Sequence, residues 1–299
     1  FIALFLFGIT VMRQGLFHLQ GDKVKKFLYH SVNHPIKGVI VGTIVTAILQ
    51  SSTAVTVIVV GLVSVGYLTF RNSIGIILGA NIGTVITLEI IAFDLTWLIF
   101  PLFIVSVPLL FTNKQILFSI GCFLFGFSII IISIDGFSML AYPLSSITSV
   151  YNWLIATNEF RVLAVIVGVI LSIIIQSSTA VTAIAMSFLN ESVLTLSTSI
   201  SIMLGANIGT CMTALLASFA GNKESRLAAF AHIWINVIGV IAFIPIINIF
   251  SKFIQYTASI PSLQLAHAAL IFNVVSTLMI LPFVDLFANF IQKVHGGNT

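Results

Sequence analysis

Apolar residues run along this chain in long blocks, with polar positions confined to short intervals between them. Stretches near 1–18, 73–93, 95–112, 116–140, 195–219, 227–250 and 263–291 each supply about the ~20 residues a helix needs to cross bilayer hydrocarbon, and predict spanning helices. Two further stretches, 36–66 and 161–189, are interrupted near the middle by Gln-Ser-Ser-Thr. Four polar side chains there are costly against lipid, so both stretches read as re-entrant helical hairpins with the tetrapeptide at the tip.

The interruptions repeat. QSSTAVT occurs at Gln50–Thr56 and again at Gln176–Thr182, and LGANIGT occurs at Leu78–Thr84 and Leu204–Thr210, both at an offset of 126 residues. Weaker echoes join Leu6–Gly8 to Leu124–Gly126, Gly42 to Gly168 and Thr87 to Thr213. The expected organisation is a first membrane repeat over 1–112, a second over 116–250 and an additional C-terminal helix over 263–291.

Composition sharpens the class. With 59% hydrophobic and 7% charged residues and a mean hydropathy of +1.19, the chain offers too little polar surface for a soluble monomer. The net charge of +4 sits in short inter-helix segments, where the positive-inside bias accounts for it better than nucleic acid does. Cys122 and Cys211 fall inside apolar segments and read as packing residues. The chain starts at Phe1 inside an apolar run, without a signal-peptide pattern, so its first segment reads as a membrane helix of a trimmed product. Exposed apolar surface belongs to lipid here, and a homo-oligomer is left open.

With the hairpins re-entrant, Lys23, Lys25, Lys26, Lys37, Arg71, Lys114, Lys223, Arg226 and Lys293 fall on one side, with Arg13 near the same end of its helix. Arg161, Lys252, Asp94, Glu159 and Glu191 fall on the other. The basic side, with the C-terminus, is expected to be cytoplasmic. Each repeat then crosses three times, which inverts the second relative to the first. The expected fold is all-α and integral to the membrane, each half carrying a re-entrant hairpin and a broken transmembrane helix.

The motifs carry the chemistry. Gln50, Ser51, Ser52, Thr53 and Thr56, with their twins Gln176, Ser177, Ser178, Thr179 and Thr182, supply amides and hydroxyls that can donate to an oxyanion or turn oxygens to an alkali cation. The glycines of each GANIGT permit unwinding, with Asn81, Thr84 and Thr87, or Asn207, Thr210 and Thr213, to satisfy the freed backbone. Gly-mediated close packing is the alternative reading of that motif. No motif contains Lys or Arg, so co-bound cations and helix ends would have to balance a divalent anion, which points to ion coupling. Glu89, whose counterpart is Leu215, reads equally as a coupling-ion ligand or a protonated packing residue. Asp135 and Asp285 sit nearer helix ends. AHIWIN at Ala231–Asn236 and AHAALIFN at Ala266–Asn273 form a looser pair, whose His and Asn residues read as inter-helix hydrogen-bonding partners.

The doubled QSSTAVT and GANIGT motifs, spanning essentially the whole chain, resemble the sodium/phosphate cotransporter family, the bacterial relatives of the animal type II cotransporters. The resemblance implies import of inorganic phosphate with Na+ and no further cofactor. It places substrate on Gln50, Ser51, Ser52, Thr53, Gln176, Ser177, Ser178, Thr179, Asn81 and Asn207. Sodium is expected on Thr56, Thr84, Thr87, Thr182, Thr210 and Thr213. It also implies, for many members, a cytoplasmic regulatory domain resembling PhoU after the membrane core. An anion channel or uniporter for a small oxyanion is the alternative, separable by sodium dependence. A membrane enzyme is a third class, and the sequence lacks the acid/base or nucleophile constellation it would need.

Overall fold

The computed structural model describes residues 1–31 and 34–296, with the side chains of 20–31 outside the described set. Lys23, Lys25, Lys26 and the terminus at Thr299 therefore lie outside the side chains that can be placed. The elements in order are α1 (Ile2–Ser31), α2 (Pro35–Leu49), α3 (Ser52–Ser64), α4 (Phe70–Ile91), α5 (Ile99–Leu110), α6 (Gln115–Ser145) and α7 (Thr148–Glu159). They continue with α8 (Arg161–Ile175), α9 (Ser178–Asn190), α10 (Leu196–Ser218), α11 (Lys223–Phe243), α12 (Ile247–Gln255), α13 (Pro261–Ile280) and α14 (Val284–His295). No strand occurs among the described residues.

Among those residues, six segments are long and apolar enough to cross a membrane: Ile2–Leu19, Phe70–Ile91, Gln115–Ser145, Leu196–Ser218, Lys223–Gln255 and Pro261–His295. The crossing expected over 95–112 is shorter than anticipated. Asp94 turns the chain by accepting from the Thr96 backbone (3.1 Å) and hydroxyl (2.7 Å), and Pro108 lies in the last turn. The helical part, Thr96–Leu110, reaches about 22 Å, less than a hydrocarbon core of about 30 Å. The sequence reading also missed α7, which meets α8 at 118°.

The hairpin arms α2, α3, α8 and α9 are 15, 13, 15 and 13 residues long, each too short to span alone. Each first arm is laid on the GANIGT helix that follows it, α2 on α4 and α8 on α10. The expectation of a broken helix at GANIGT is corrected here, because α4 and α10 run unbroken through both motifs. The glycines serve contact instead. A Cβ on Gly79 would lie 2.0 Å from the Val39 carbonyl, and one on Gly205 2.0 Å from the Val165 carbonyl. Gly83 and Gly209 would meet Thr43 and Val169 carbonyls at 2.5 Å, and Gly42 and Gly168 would meet Ile76 and Ile202 carbonyls at 2.2 and 2.1 Å. Every one of these pairs obeys the 126-residue offset, so the repeat in sequence is a repeat of backbone-to-backbone packing.

The breaks in the long helices occur at prolines instead. A 3-10 turn with Pro245 separates α11 from α12, and one with Pro282 separates α13 from α14, since proline removes a helical hydrogen bond. Asn236 and Asn273, Pro245 and Pro282, and Phe250 and Phe287 all share an offset of 37 residues. The packing follows the same relation: α11 lies against α3, α4 and α10, and α13 against α9, α10 and α4. Gly239 and Ser276, again equivalent by this offset, face each other where the two helices meet.

Candidate functional site

The two QSST segments build one feature twice. Gln50 ends α2 at φ 53°, ψ 31°, and Gln176 ends α8 at φ 57°, ψ 28°, in the left-handed region that side-chain-bearing residues rarely occupy. Each gives its backbone N–H to the preceding turn, Gln50 to Thr46 O (2.7 Å) and Gln176 to Ser172 O (2.8 Å). The next residue is extended and caps the second arm: Ser51 Oγ accepts from Ala54 N (3.1 Å) and Ser177 Oγ from Ala180 N (3.2 Å). The chain thereby reverses in two residues and leaves the N-termini of α3 and α9 at the tips. Strained backbone of this kind costs on the order of 1–3 kcal/mol and collects at functional sites.

A cavity of about 240 Å³ lies between the tips. Gln50, Ser51, Ser52, Thr53, Gln176, Ser177, Ser178 and Thr179 all line it, with Thr84, Thr210 and Thr213 from the GANIGT helices. Arg13 of α1 completes the wall, its Nε donating to Gln50 O at 2.7 Å. The sequence reading placed Arg13 near the basic end of its helix and gave it no part in the site; it projects into the cavity. The signal was present, a single basic residue within an otherwise apolar crossing, which is functional by default. The cavity combines two helix N-termini with one guanidinium, an arrangement whose charge favours an anion.

A second, far smaller cavity of about 20 Å³, the room of one water-sized sphere, adjoins the first. Its wall includes Asn81, Asn207, Asn236, Asn273, His232 and Thr182, and it shares Ser52, Thr84, Ser178, Thr179 and Thr210 with the larger cavity. Two of the threonines named from sequence line neither. Thr87 donates its hydroxyl to Gln50 Oε1, holding the first tip against α4, and Thr56 is fully buried. Asn236 links three helices, accepting from Asn81 (3.3 Å) and donating to Cys211 Sγ (3.2 Å).

The remaining ionisable residues lie apart. Glu89 lines neither cavity; its Oε2 is 3.6 Å from His267 Nε2, and His267 Nδ1 is 2.9 Å from the Thr257 hydroxyl. Asp285 pairs with Arg71, so it ties α14 to the start of α4. Asp135 faces a separate cavity of about 500 Å³ with Asp94 and Glu191. Hydrogen bonds from Thr96 hold the Asp94 carboxyl below its ordinary range.

The family model described as Na+/Pi-cotransporter matches residues 4–139 and 145–283. The chain is 37% identical over 270 residues to the protein YqeW of Bacillus subtilis (strain 168), covering 90% of this chain and 88% of that one. It is 25% identical over 252 residues to the "Putative inorganic phosphate export protein YjbB" of Escherichia coli (strain K12), covering 84% of this chain and 46% of the relative. It is 39% identical over 95 residues to "Sodium-dependent phosphate transport protein 2A" of Ovis aries, covering 31% of this chain and 15% of that one. The chain thus spans less than half the length of the latter two. No solved structure matches.

Proposed function

The chain belongs to the Na+/Pi-cotransporter family, a family of multi-pass membrane transporters and not of enzymes, and from that premise we propose that it imports inorganic phosphate with Na+ by alternating access. Phosphate transport is the family's activity; the sodium coupling, the inward direction and the residues in each role are our reading.

The observation that carries it is the 240 Å³ cavity between two capped helix N-termini, with Arg13 in its wall. Backbone N–H groups at the starts of α3 and α9, the hydroxyls of Ser52, Thr53, Ser178 and Thr179, and the guanidinium would hold the phosphate oxygens. One guanidinium cannot balance a divalent anion in a low-dielectric site, which leaves room for co-bound cations. Thr84 and Thr210 would face those ions from the boundary with the smaller cavity.

Two sets of hydrogen bonds favour the inverted arrangement of the halves. Asn222, after α10, donates to Ser64 O at the end of α3 (2.9 Å). Ser262 joins the other ends: its hydroxyl donates to Ala92 O after α4 (2.7 Å) and its backbone N–H to Asn190 Oδ1 at the end of α9 (3.0 Å). The exit of α3 thus lies beside that of α10, and the exit of α9 beside that of α4. On this reading the hairpins enter from opposite faces, the basic face being cytoplasmic.

Radiolabelled phosphate uptake into proteoliposomes, under an inward Na+ gradient against an equal K+ gradient, tests the proposal. Accumulation only with Na+ establishes symport, and flux indifferent to the cation establishes a channel or uniporter. The Escherichia coli relative is named for export, so efflux from phosphate-loaded vesicles under the reverse gradient completes the measurement.

A further inference from the structure

The two halves hold nearly the same hydrogen-bonding groups in opposite arrangements. At the first tip the Gln50 amide is spent on the protein: Oε1 accepts from the Thr87 hydroxyl and Nε2 donates to Ala47 O (2.5 Å). At the second tip the twins Gln176 and Thr213 both line the larger cavity, and neither side chain forms a hydrogen bond among the described residues. One turn earlier in each first arm the pattern reverses. Ser172 Oγ lies 2.8 Å from Thr210 Oγ1, and Thr210 donates to Ala206 O, so Ser172 is the donor. Its twin Thr46 is fully buried with no partner for Oγ1 among the described residues, and Thr84 has only its bond to Ala80 O.

Backbone placement does not account for the difference. Gln50 and Gln176 share nearly the same φ and ψ. A Cβ on Gly83 would lie 2.8 Å from Thr46 Cβ, and one on Gly209 2.8 Å from Ser172 Cβ, so Thr46 stands over α4 as Ser172 stands over α10. The bond that each half lacks is therefore within reach of the side chains that would make it. Exposure alternates in the same sense. Ala54 is exposed and its twin Ala180 is buried, whereas Gln176 is exposed and Gln50 half-buried. A buried hydroxyl without a partner is unfavourable, and at Thr46 it marks a bond that this arrangement gives up.

We propose that each half is a two-state hydrogen-bond switch, that the halves stand in opposite states, and that turning the site to the other face exchanges them. Gln176 then takes the Thr213 hydroxyl while Ser172 releases Thr210, and Gln50 releases Thr87 while Thr46 takes up Thr84. The proposal rests on the transport reading above and deepens it. Each bond lost in one half is matched by its twin gained in the other, so the two arrangements stay close in free energy, as a carrier that must visit both requires. Arg13 breaks the tie. By the echo of Leu6–Gly8 in Leu124–Gly126 its counterpart is Ile131, which has no N–H to offer, so the bond to Gln50 O favours the arrangement described.

The test uses Ala54→Cys and Ala180→Cys as reporters in the purified chain in lipid nanodiscs, the chain without them serving as the blank because Cys122 and Cys211 are buried. The ratio of thiol-labelling rates at 180 and 54 measures the balance of the two arrangements. Thr87→Val and Ser172→Ala each remove a bond of the present arrangement and are expected to raise the ratio roughly fivefold. Thr213→Val and Thr46→Val remove a bond of the exchanged arrangement only and are expected to lower it by a similar factor. Thr87→Val combined with Thr213→Val should return the ratio to that of the parent chain, a cancellation that simple damage to packing would not produce. A monodisperse size-exclusion profile for each variant excludes misfolding. Single variants that all move the ratio the same way or leave it unmoved, or a pair that fails to cancel, overturn the exchange; if phosphate uptake in proteoliposomes is intact, the transport reading stands. Absence of uptake by the wild-type chain overturns that reading instead, and the ratio still decides whether the two arrangements exist.

Discussion

Arg13 Nε donates to the backbone carbonyl of Gln50 at 2.7 Å, so a charged side chain of the first helix is fastened to the left-handed residue of the first hairpin tip. Hydrogen bonds to charged groups contribute about 1.5–3 kcal/mol, and an anion in the cavity would add to them. Arg13→Gln is therefore expected to reduce phosphate uptake by roughly 10- to 100-fold. Arg13→Lys should recover only part, because lysine lacks the planar fork. Uptake kinetics in proteoliposomes check both.

Ser51 and Ser177 cap the second arms of the two hairpins. Ser51→Ala and Ser177→Ala should each cost about 1 kcal/mol of stability, and the glycine variants only a few tenths. Ser178, at the first position of α9, lines both cavities. Ser178→Ala should depress uptake with little change in melting temperature. Thermal unfolding alongside transport separates the two roles.

Gly79→Ala and Gly205→Ala each drive a methyl to 2.0 Å from a backbone carbonyl that cannot rotate away. Both should lower the yield of folded protein severely. Gly61→Ala, on α3 with nothing within 4 Å of the new carbon, should be neutral or stabilising by up to about 1 kcal/mol. Fluorescence-detected size exclusion across temperature compares them.

The Arg71–Asp285 pair joins two helix starts, but its side chains are 46% and 68% exposed. A double-mutant cycle with Arg71→Ala and Asp285→Ala should give little or no coupling, and what there is should shrink with added salt.

Much of this was legible beforehand for a simple reason. A polar tetrapeptide inside an apolar run is conspicuous, and its duplication fixes both tips, so the arms fall within a residue or two of their expected bounds. Glycine is harder to read. Gly79 and Gly83 suit an unwound helix and a close-packed one equally, and only the partner carbonyls of Val39 and Thr43 decide between them. Arg13 was hidden by lying near a helix end, where snorkelling to the interface is ordinary. The equivalence of α11 and α13 was half visible in AHIWIN and AHAALIFN. Aligning on the histidines obscured it, because Asn236 and Pro245 match Asn273 and Pro282, while His232 matches Ala269.

The glycine contacts carry a mechanical consequence. Where one backbone rests directly on another there is no side chain to change rotamer and absorb a displacement, so α2 with α4, and α8 with α10, are laminated plates. Plates slide or tilt but do not bend. Flexing is left to the thin joints at Gln50 and Ser51 and at Gln176 and Ser177, where two residues link each plate to its second arm. On the proposed transport reading, an anion held across both joints would be released by a change of angle there, with every bond inside the plates left as it was.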